Sequence, residues 1–191
     1  MTPPDPRADA LVVVDVQRAL VAGEHAVSDA SAYLDRWAAA LTSARTAGVP
    51  VIHLQDEGAS PGSFIPRGSA GWELVLPVTD GDHVVSKRRD DGFDGIGLEG
   101  IFRAAGVTRP CLVGIQSEMC VAATARGALA RGLTVLLPRD GHTTYAVPAD
   151  GSAPDVPAAH VSRVAEWSLG DEVVAPERLT DVRFGQRNPG G

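Results

Sequence analysis

Apolar runs bounded by turn residues recur along the chain at 10–14, 49–54, 84–86, 111–115 and 133–137. None shows strict alternation of apolar and polar positions, which suits strands covered on both faces by helices. Between the first two runs, the segment 28–47 carries Tyr33, Leu34, Trp37, Leu41 and Ala44 at mixed three- and four-residue spacing, the stripe of an amphipathic helix. Ser28 suits its N-cap, and Gly48, just before Pro50, suits its end. Shorter helices are predicted at 98–105, stopped by Gly106, at 119–131, stopped by Gly132, and at 156–169. Strand, helix, strand repetition with short links implies right-handed parallel crossovers. The expected fold is therefore an α/β doubly wound, mostly parallel sheet of five to six strands with helices on both faces, a Rossmann-type three-layer sandwich.

Two segments break this rhythm. Residues 58–79 are rich in Gly, Pro and Ser yet carry Phe64, Ile65 and Trp72, which reads as a lid over a pocket. A surface loop packed on its own apolar residues is the alternative. Residues 142–155, again rich in Pro and Gly, are placed on the opposite rim. The chain reads as one domain over 1–184, with 185–191 a disordered tail.

Composition narrows the partners. Of 191 residues, 44% are hydrophobic and 21% charged, enough apolar material for a real core. The 17 basic residues against 24 acidic ones give a formal charge of −7, and no basic stripe forms, so neither nucleic acid nor an anionic membrane is an expected partner. A small-molecule substrate is. Two cysteines, Cys111 and Cys120, both in apolar surroundings, point to a reducing compartment rather than a disulfide. The first ten residues lack the apolar core of a signal peptide, and no apolar run approaches the ~18 residues of a membrane span, so a cytoplasmic location is expected.

Three polar residues stand at or beyond the carboxyl ends of predicted strands: Asp15, Lys87 and Cys120. In an open α/β sheet that edge is where ligands bind, so the three can share one site. Singly, each has a plain alternative: Asp15 as a turn cap, Lys87 as a solvated edge residue, Cys120 as a small buried hydrophobe. Together they make a chemical unit. A nucleophilic thiol must lose its proton near neutral pH. Placement in the first turn of a helix and the charge of Lys87 favour the thiolate, while Asp15 can take the proton as general base.

These residues sit in segments that resemble a known superfamily. Gly114-Ile115-Gln116-Ser117-Glu118-Met119-Cys120-Val121, followed by Thr124, Ala128 and Gly132, is similar to the nucleophile motif of the isochorismatase-like cysteine hydrolases, which include nicotinamidases and N-carbamoylsarcosine amidohydrolase. Val12-Val13-Val14-Asp15-Val16-Gln17 resembles the Asp-x-Gln signature of their first strand. Val84-Val85-Ser86-Lys87, followed by Phe93 and Leu98, resembles their lysine segment, and Asp140-Gly141-His142-Thr143-Thr144 the segment after their fifth strand. The resemblance implies a catalytic triad of Asp15, Lys87 and Cys120. It also implies a cis peptide at Ile115 to Gln116 that turns the backbone N–H groups of Gln116 and Cys120 toward a developing oxyanion. The implied reaction cleaves the C–N bond of an amide, lactam or carbamoyl group through a thioester and needs no cofactor. Homodimers or higher homo-oligomers are the family habit.

Departures from the family pattern are informative. Nicotinamidases hold a metal through an Asp-x-His pair and a further His; here Gln55-Asp56-Glu57-Gly58 keeps the Asp but has Gly58 at the His position, and 58–79 contains no His. No metal is expected, and nicotinamide is a poor substrate. Ile96 replaces a common Thr, and Cys120 argues against the branch that cleaves a vinyl ether. Asp56, Glu57, Glu73 and Glu118 near the expected mouth favour a cationic substrate, such as the lactam of the basic antibiotic streptothricin, which one family member opens. Further pocket candidates, from position alone, are Gln17, Phe64, Trp72, Phe93, Glu118 and His142. His53 reads as a satisfied core histidine, Cys111 as core, and His25, His83 and His160 have no partner at metal spacing. An idle family member acting as a binding or scaffolding subunit is the alternative function. A flavodoxin-like binding module is disfavoured because Val16-Gln17-Arg18, not a Gly-rich phosphate loop, follows the first strand.

Overall fold

In the computed structural model, residues 5–95 and 97–186 are described. Ile96 and residues 187–191 of the expected tail lie outside them. Seven strands form one parallel sheet: β2 (Ala10–Val14), β3 (Val51–Asp56), β4 (His83–Lys87), β5 (Pro110–Ile115), β6 (Val135–Leu136), β7 (His142–Thr143) and β8 (Val173–Val174). The order is β4-β3-β2-β5-β6-β8, with β7 paired to β5 beyond the end of β6. A small parallel pair, β1 (Arg7–Ala8) with β9 (Arg183–Phe184), ties the two ends of the chain together, and the Gly185 N–H donates to the Ala8 carbonyl. The sheet and its covering helices match the predicted doubly wound class.

The central strands are buried throughout, as their unbroken apolar runs require. Leu11 and Val13 of β2 face one core with Trp37, Leu41 and Ala44 of α2 (Ala30–Thr46); Ala10, Val12 and Val14 face the other, with Leu98 and Phe102 of α3 (Gly97–Ala105) and Ala125 and Ala128 of α4 (Ala122–Leu129). Trp37 is completely buried and donates its indole N–H to the Gly141 carbonyl at 2.7 Å, which fixes α2 against the loop before β7.

Boundaries shift where local chemistry outweighs pattern. The N-cap of α2 is Asp29, in the left-handed region at φ +56°, not Ser28. The expected strand 49–54 begins at Val51 and runs on to Asp56, and 133–137 contributes only Val135 and Leu136. The helix expected from residue 119 is preceded by a π-helical turn, Ser117–Val121, and the last predicted helix narrows to Ala158–Trp167. The short strands β1, β7, β8 and β9 escaped the sequence reading because two residues carry no periodicity.

The order reverses beside β2: the chain steps outward through β3 to β4, then returns to place β5 on the other side of β2. The crevice above the carboxyl ends of β2 and β5 is thus the switch point of the sheet. Gly114 permits the close approach there. Its φ is +126°, and a Cβ at this position would lie 2.1 Å from the Val14 carbonyl oxygen. Gly114→Ala is predicted to destabilise the fold by about 3 kcal/mol or more, from backbone strain plus collision with β2; equilibrium urea unfolding of the purified variant against wild type measures it.

Candidate active site

Four neighbouring strands present one polar side chain each at the carboxyl edge. Asp56 ends β3 and Lys87 ends β4, directly opposite each other in the ladder; Asp15 follows β2, and Cys120 lies in the π-helical turn after β5. Asp15 adopts φ +50°, a left-handed conformation that costs an Asp little and turns its side chain away from the strand path. The Ile115–Gln116 peptide bond at the head of the π-helical turn is cis.

The Lys87 ammonium sits at the centre of this group. Its Nζ is 2.8 Å from Asp15 Oδ2, 3.3 Å from Asp56 Oδ2 and 3.2 Å from Cys120 Sγ, and it also donates to the Arg89 carbonyl at 3.2 Å. Asp15 and Lys87 are each only 2% exposed. Burial works against the ammonium, but Asp15, Cys120 and Asp56 together more than reverse it, so Lys87 remains charged. Burial raises the Asp15 carboxyl to about 6 even with Lys87 pulling it down. The Cys120 thiol also moves up, through burial and then the Asp15 charge, with Lys87 opposing. This corrects the expectation of a ready thiolate: the resting sulfur keeps its proton, and a carboxylate that titrates within the working range stands beside it to receive it.

Asp15, Asp56 and Cys120 each offer a ligand atom within 4.8 Å of the others, a set that can hold a cation. The Lys87 ammonium already contacts all three, and so supplies the positive charge that the set requires. Gly58 adds no ligand, and a Cβ there would meet the Ile65 carbonyl oxygen at 2.1 Å, so the lid backbone fills the place where a nicotinamidase-type histidine side chain would begin.

The lid closes one side of a cavity of about 190 Å³, lined by Asp15, Asp56, Asp90, Cys120, Phe64 and Ile65 among others. Of the pocket candidates, Phe64 is therefore on the wall. Gln17 is not: it is fully buried, its side-chain amide donates to the Asp56 and Trp72 carbonyls at 3.0 Å and accepts from the Asp56 N–H at 3.1 Å, clamping the lid base to β3. Gln55 adds a fourth bond, to the Trp72 carbonyl at 2.9 Å. Trp72 thus serves through its backbone, and Arg67 lies over its ring. Phe93 packs edge-on against Phe102 in the core. Glu118 is exposed and accepts from the Thr144 hydroxyl at 2.9 Å.

His142 leaves the rim altogether. It is 1% exposed, with Nδ1 2.8 Å from Ser117 Oγ and Nε2 3.6 Å from Glu166 Oε1, and Ser117 Oγ is 2.9 Å from Ser162 Oγ. Burial lowers its pKa to about 4, so the ring is neutral at pH 7. Nε2 has no hydrogen-bond partner among the described residues, so it is the Ser117 hydroxyl, bonded to both His142 and Ser162, that ties the π-helical turn carrying Cys120 to α5 (Ala158–Trp167). His53 is in the core as expected but unsatisfied, since neither ring nitrogen has a hydrogen bond among the described residues and Asp82 Oδ2 is 3.6 Å from Nε2. The segment 142–155 does not line the cavity; Val147 and Val156 bridge within it as a small hairpin. Sequence reasoning missed Asp90, whose Oδ1 lies 3.7 Å from Cys120 Sγ; its only signal was a place three residues past Lys87.

Removing Lys87 strands a buried carboxylate. Lys87→Met is predicted to cost about 3 kcal/mol of stability at pH 7.5, the penalty for one member of a broken buried pair. Without Lys87 the Asp15 carboxyl, raised to about 6 even with that partner present, rises further and takes up a proton that the unfolded chain does not, so the cost shrinks at pH 5. Urea unfolding of wild type and variant at both pH values tests the sign.

The chain has relatives that can be set beside this geometry. Residues 9–153 match the isochorismatase domain. A streptothricin hydrolase of Streptomyces noursei is 53% identical over 178 residues, covering 92% of this chain; the chain spans 64% of that protein's length. Among solved structures, an isochorismatase from Pseudomonas putida KT2440 superimposes with a TM-score of 0.83 at 21% identity, over 95% of this chain and 93% of that one. The N-carbamoylsarcosine amidase of Thermoplasma acidophilum does so with a TM-score of 0.70 at 26% identity, over 89% and 95%. The fold, the ordered motifs and these matches place the chain in the isochorismatase family.

Proposed function

We propose that this protein is a cysteine-dependent hydrolase that cleaves a C–N bond in a small molecule, with Cys120 as nucleophile, Asp15 as general base and Lys87 as the charge that holds both in place. The observation that carries the reading is a buried ammonium shared between a thiol at 3.2 Å and a carboxylate at 2.8 Å, opening onto a cavity. A purely structural ion pair has no need of a thiol or an opening.

As Sγ attacks the carbonyl carbon, its proton passes to Asp15 and the carbonyl π pair moves to oxygen. The Gln116 and Cys120 backbone N–H groups receive that oxyanion. Collapse breaks the C–N bond, and the departing nitrogen takes the proton from Asp15. A thioester remains. Water then attacks it, Asp15 again taking and returning the proton, and the acid leaves with the thiol restored. With a lactam the new amine stays on the same molecule. The cavity of about 190 Å³ is smaller than most drug-sized sites, so it encloses the scissile group and its near neighbours while the remainder of a larger substrate stays outside. A streptothricin-like lactam fits this pattern, and the identity with a streptothricin hydrolase supports it.

The test is ammonia or amine release from a panel of small amides, N-carbamoyl compounds and lactams, streptothricin included, with chelator present. Cys120→Ala is expected to lose roughly 10⁴-fold or more of the wild-type rate. Asp15→Asn, which keeps the left-handed backbone conformation, is expected to lose about 10²- to 10⁴-fold, the usual worth of a positioned base. Full activity in Cys120→Ala contradicts the mechanism; silence throughout the panel, with a thiol unreactive to iodoacetamide, points to an idle binding protein.

A further inference from the structure

The wall of the cavity holds three carboxylates, those of Asp15, Asp56 and Asp90, against the one ammonium of Lys87. Asp56 is fully engaged, one oxygen accepting from the Gly58 N–H at 2.6 Å and the other facing Lys87. Asp15, a residue of the cavity lining, gives Oδ2 to Lys87, while its buried Oδ1 has no hydrogen-bond partner among the described residues. Asp90 has no cation within ion-pair distance among the described residues, and the one hydrogen bond of its side chain among them is the long one from Cys120 Sγ at 3.7 Å. The acids first expected to set the charge of the mouth are spoken for: Glu57 pairs with Arg67, Glu73 with Arg18, and Glu118 accepts from Thr144. The neighbouring Asp94 pairs with Arg89.

We propose that Asp90 is a specificity-determining residue: its carboxylate, unpaired on the cavity wall beside the Cys120 sulfur, receives a cationic group of the substrate, a protonated amine or guanidinium carried close to the scissile bond. This rests on the reading of Cys120 as the nucleophile. With the thiol protonated, two negative charges of the pocket stay uncompensated, in a concave site whose walls concentrate their field. An anionic substrate is repelled, a neutral one is indifferent, and a cationic one gains both a counter-ion and the alignment that a charge-assisted hydrogen bond imposes. Asp90 is exposed where Asp15 is buried, so an incoming cationic group reaches its carboxylate from solvent.

Charged thiol reagents read this preference without any knowledge of the substrate. Methanethiosulfonates carrying a methyl, an aminoethyl or a sulfonatoethyl group each transfer their thioalkyl group to a thiolate and release methanesulfinate. Second-order rates at Cys120, separated from Cys111 by peptide mass, are measured on wild type and Asp90→Asn and normalised to the neutral methyl reagent, which removes any change in thiol reactivity. Wild type is expected to favour the cationic reagent over the anionic one, and Asp90→Asn to reduce that ratio roughly three- to tenfold, the scale of one nearby charge in a partly solvated site. A ratio within about twofold of wild type in the variant, or a wild-type preference for the anion, overturns the proposal while leaving the nucleophile in place. A wild-type Cys120 inert to all three reagents and to iodoacetamide overturns the nucleophile reading, and this proposal with it.

Discussion

One buried ammonium organises the functional edge of this sheet. Lys87 brings a positive charge to a place where two carboxylates and a thiol from three other strands converge, and the carboxylates are tolerable there only because the charge is present. The demand runs in both directions. Without Asp15 and Asp56, burial would pull the lysine's pKa down; without the lysine, the Asp15 carboxyl, already at about 6, would rise further. Paired strand ends fix these separations, because Asp56 and Lys87 are ladder partners and β2 lies between β3 and β5.

Around that centre the structure commits its polar side chains to holding loops rather than to touching ligand. Gln17 and Gln55 staple the lid to the strand ends, and the Ser117 hydroxyl, bonded to His142 and Ser162, fastens the turn bearing Cys120 to α5. Both devices use buried groups with their hydrogen bonds directed at backbone or at one another, the arrangement that keeps a reactive side chain within tenths of an ångström of its partners. The lid itself stands where a metal-binding relative would need a histidine, since the Ile65 carbonyl occupies the space next to Gly58. Among the described residues, Lys87 sets a positive charge against the carboxylates of this pocket.

The division between what the chain disclosed in advance and what it withheld has a physical origin. Asp15, Lys87 and Cys120 were legible because each terminates or follows an apolar run that forms a strand, and parallel topology sends all such ends to one edge. The parallel sheet and the two helix layers followed from the same repetition. Gln17, Trp72, Phe93, Glu118 and His142 were misplaced because proximity in sequence to a strand end says nothing of side-chain direction; His142 sits one strand away from the site yet turns inward to Ser117. Asp90 was missed for the opposite reason, as a loop residue without periodicity that the path from β4 to α3 carries back against the cysteine. The protonation state of the thiol also lay beyond sequence, since it depends on the balance of burial and two opposing charges.

The most direct measurement of the arrangement is the pH dependence of Cys120 alkylation by iodoacetamide in wild type and in Asp15→Asn. If the resting thiol gives its proton to Asp15, the wild-type rate rises through a transition near pH 6 and then levels, and the variant loses that transition and reacts slowly until well above pH 8. Superimposable profiles for the two proteins would mean that Asp15 does not take the proton, and that the buried ammonium serves stability alone.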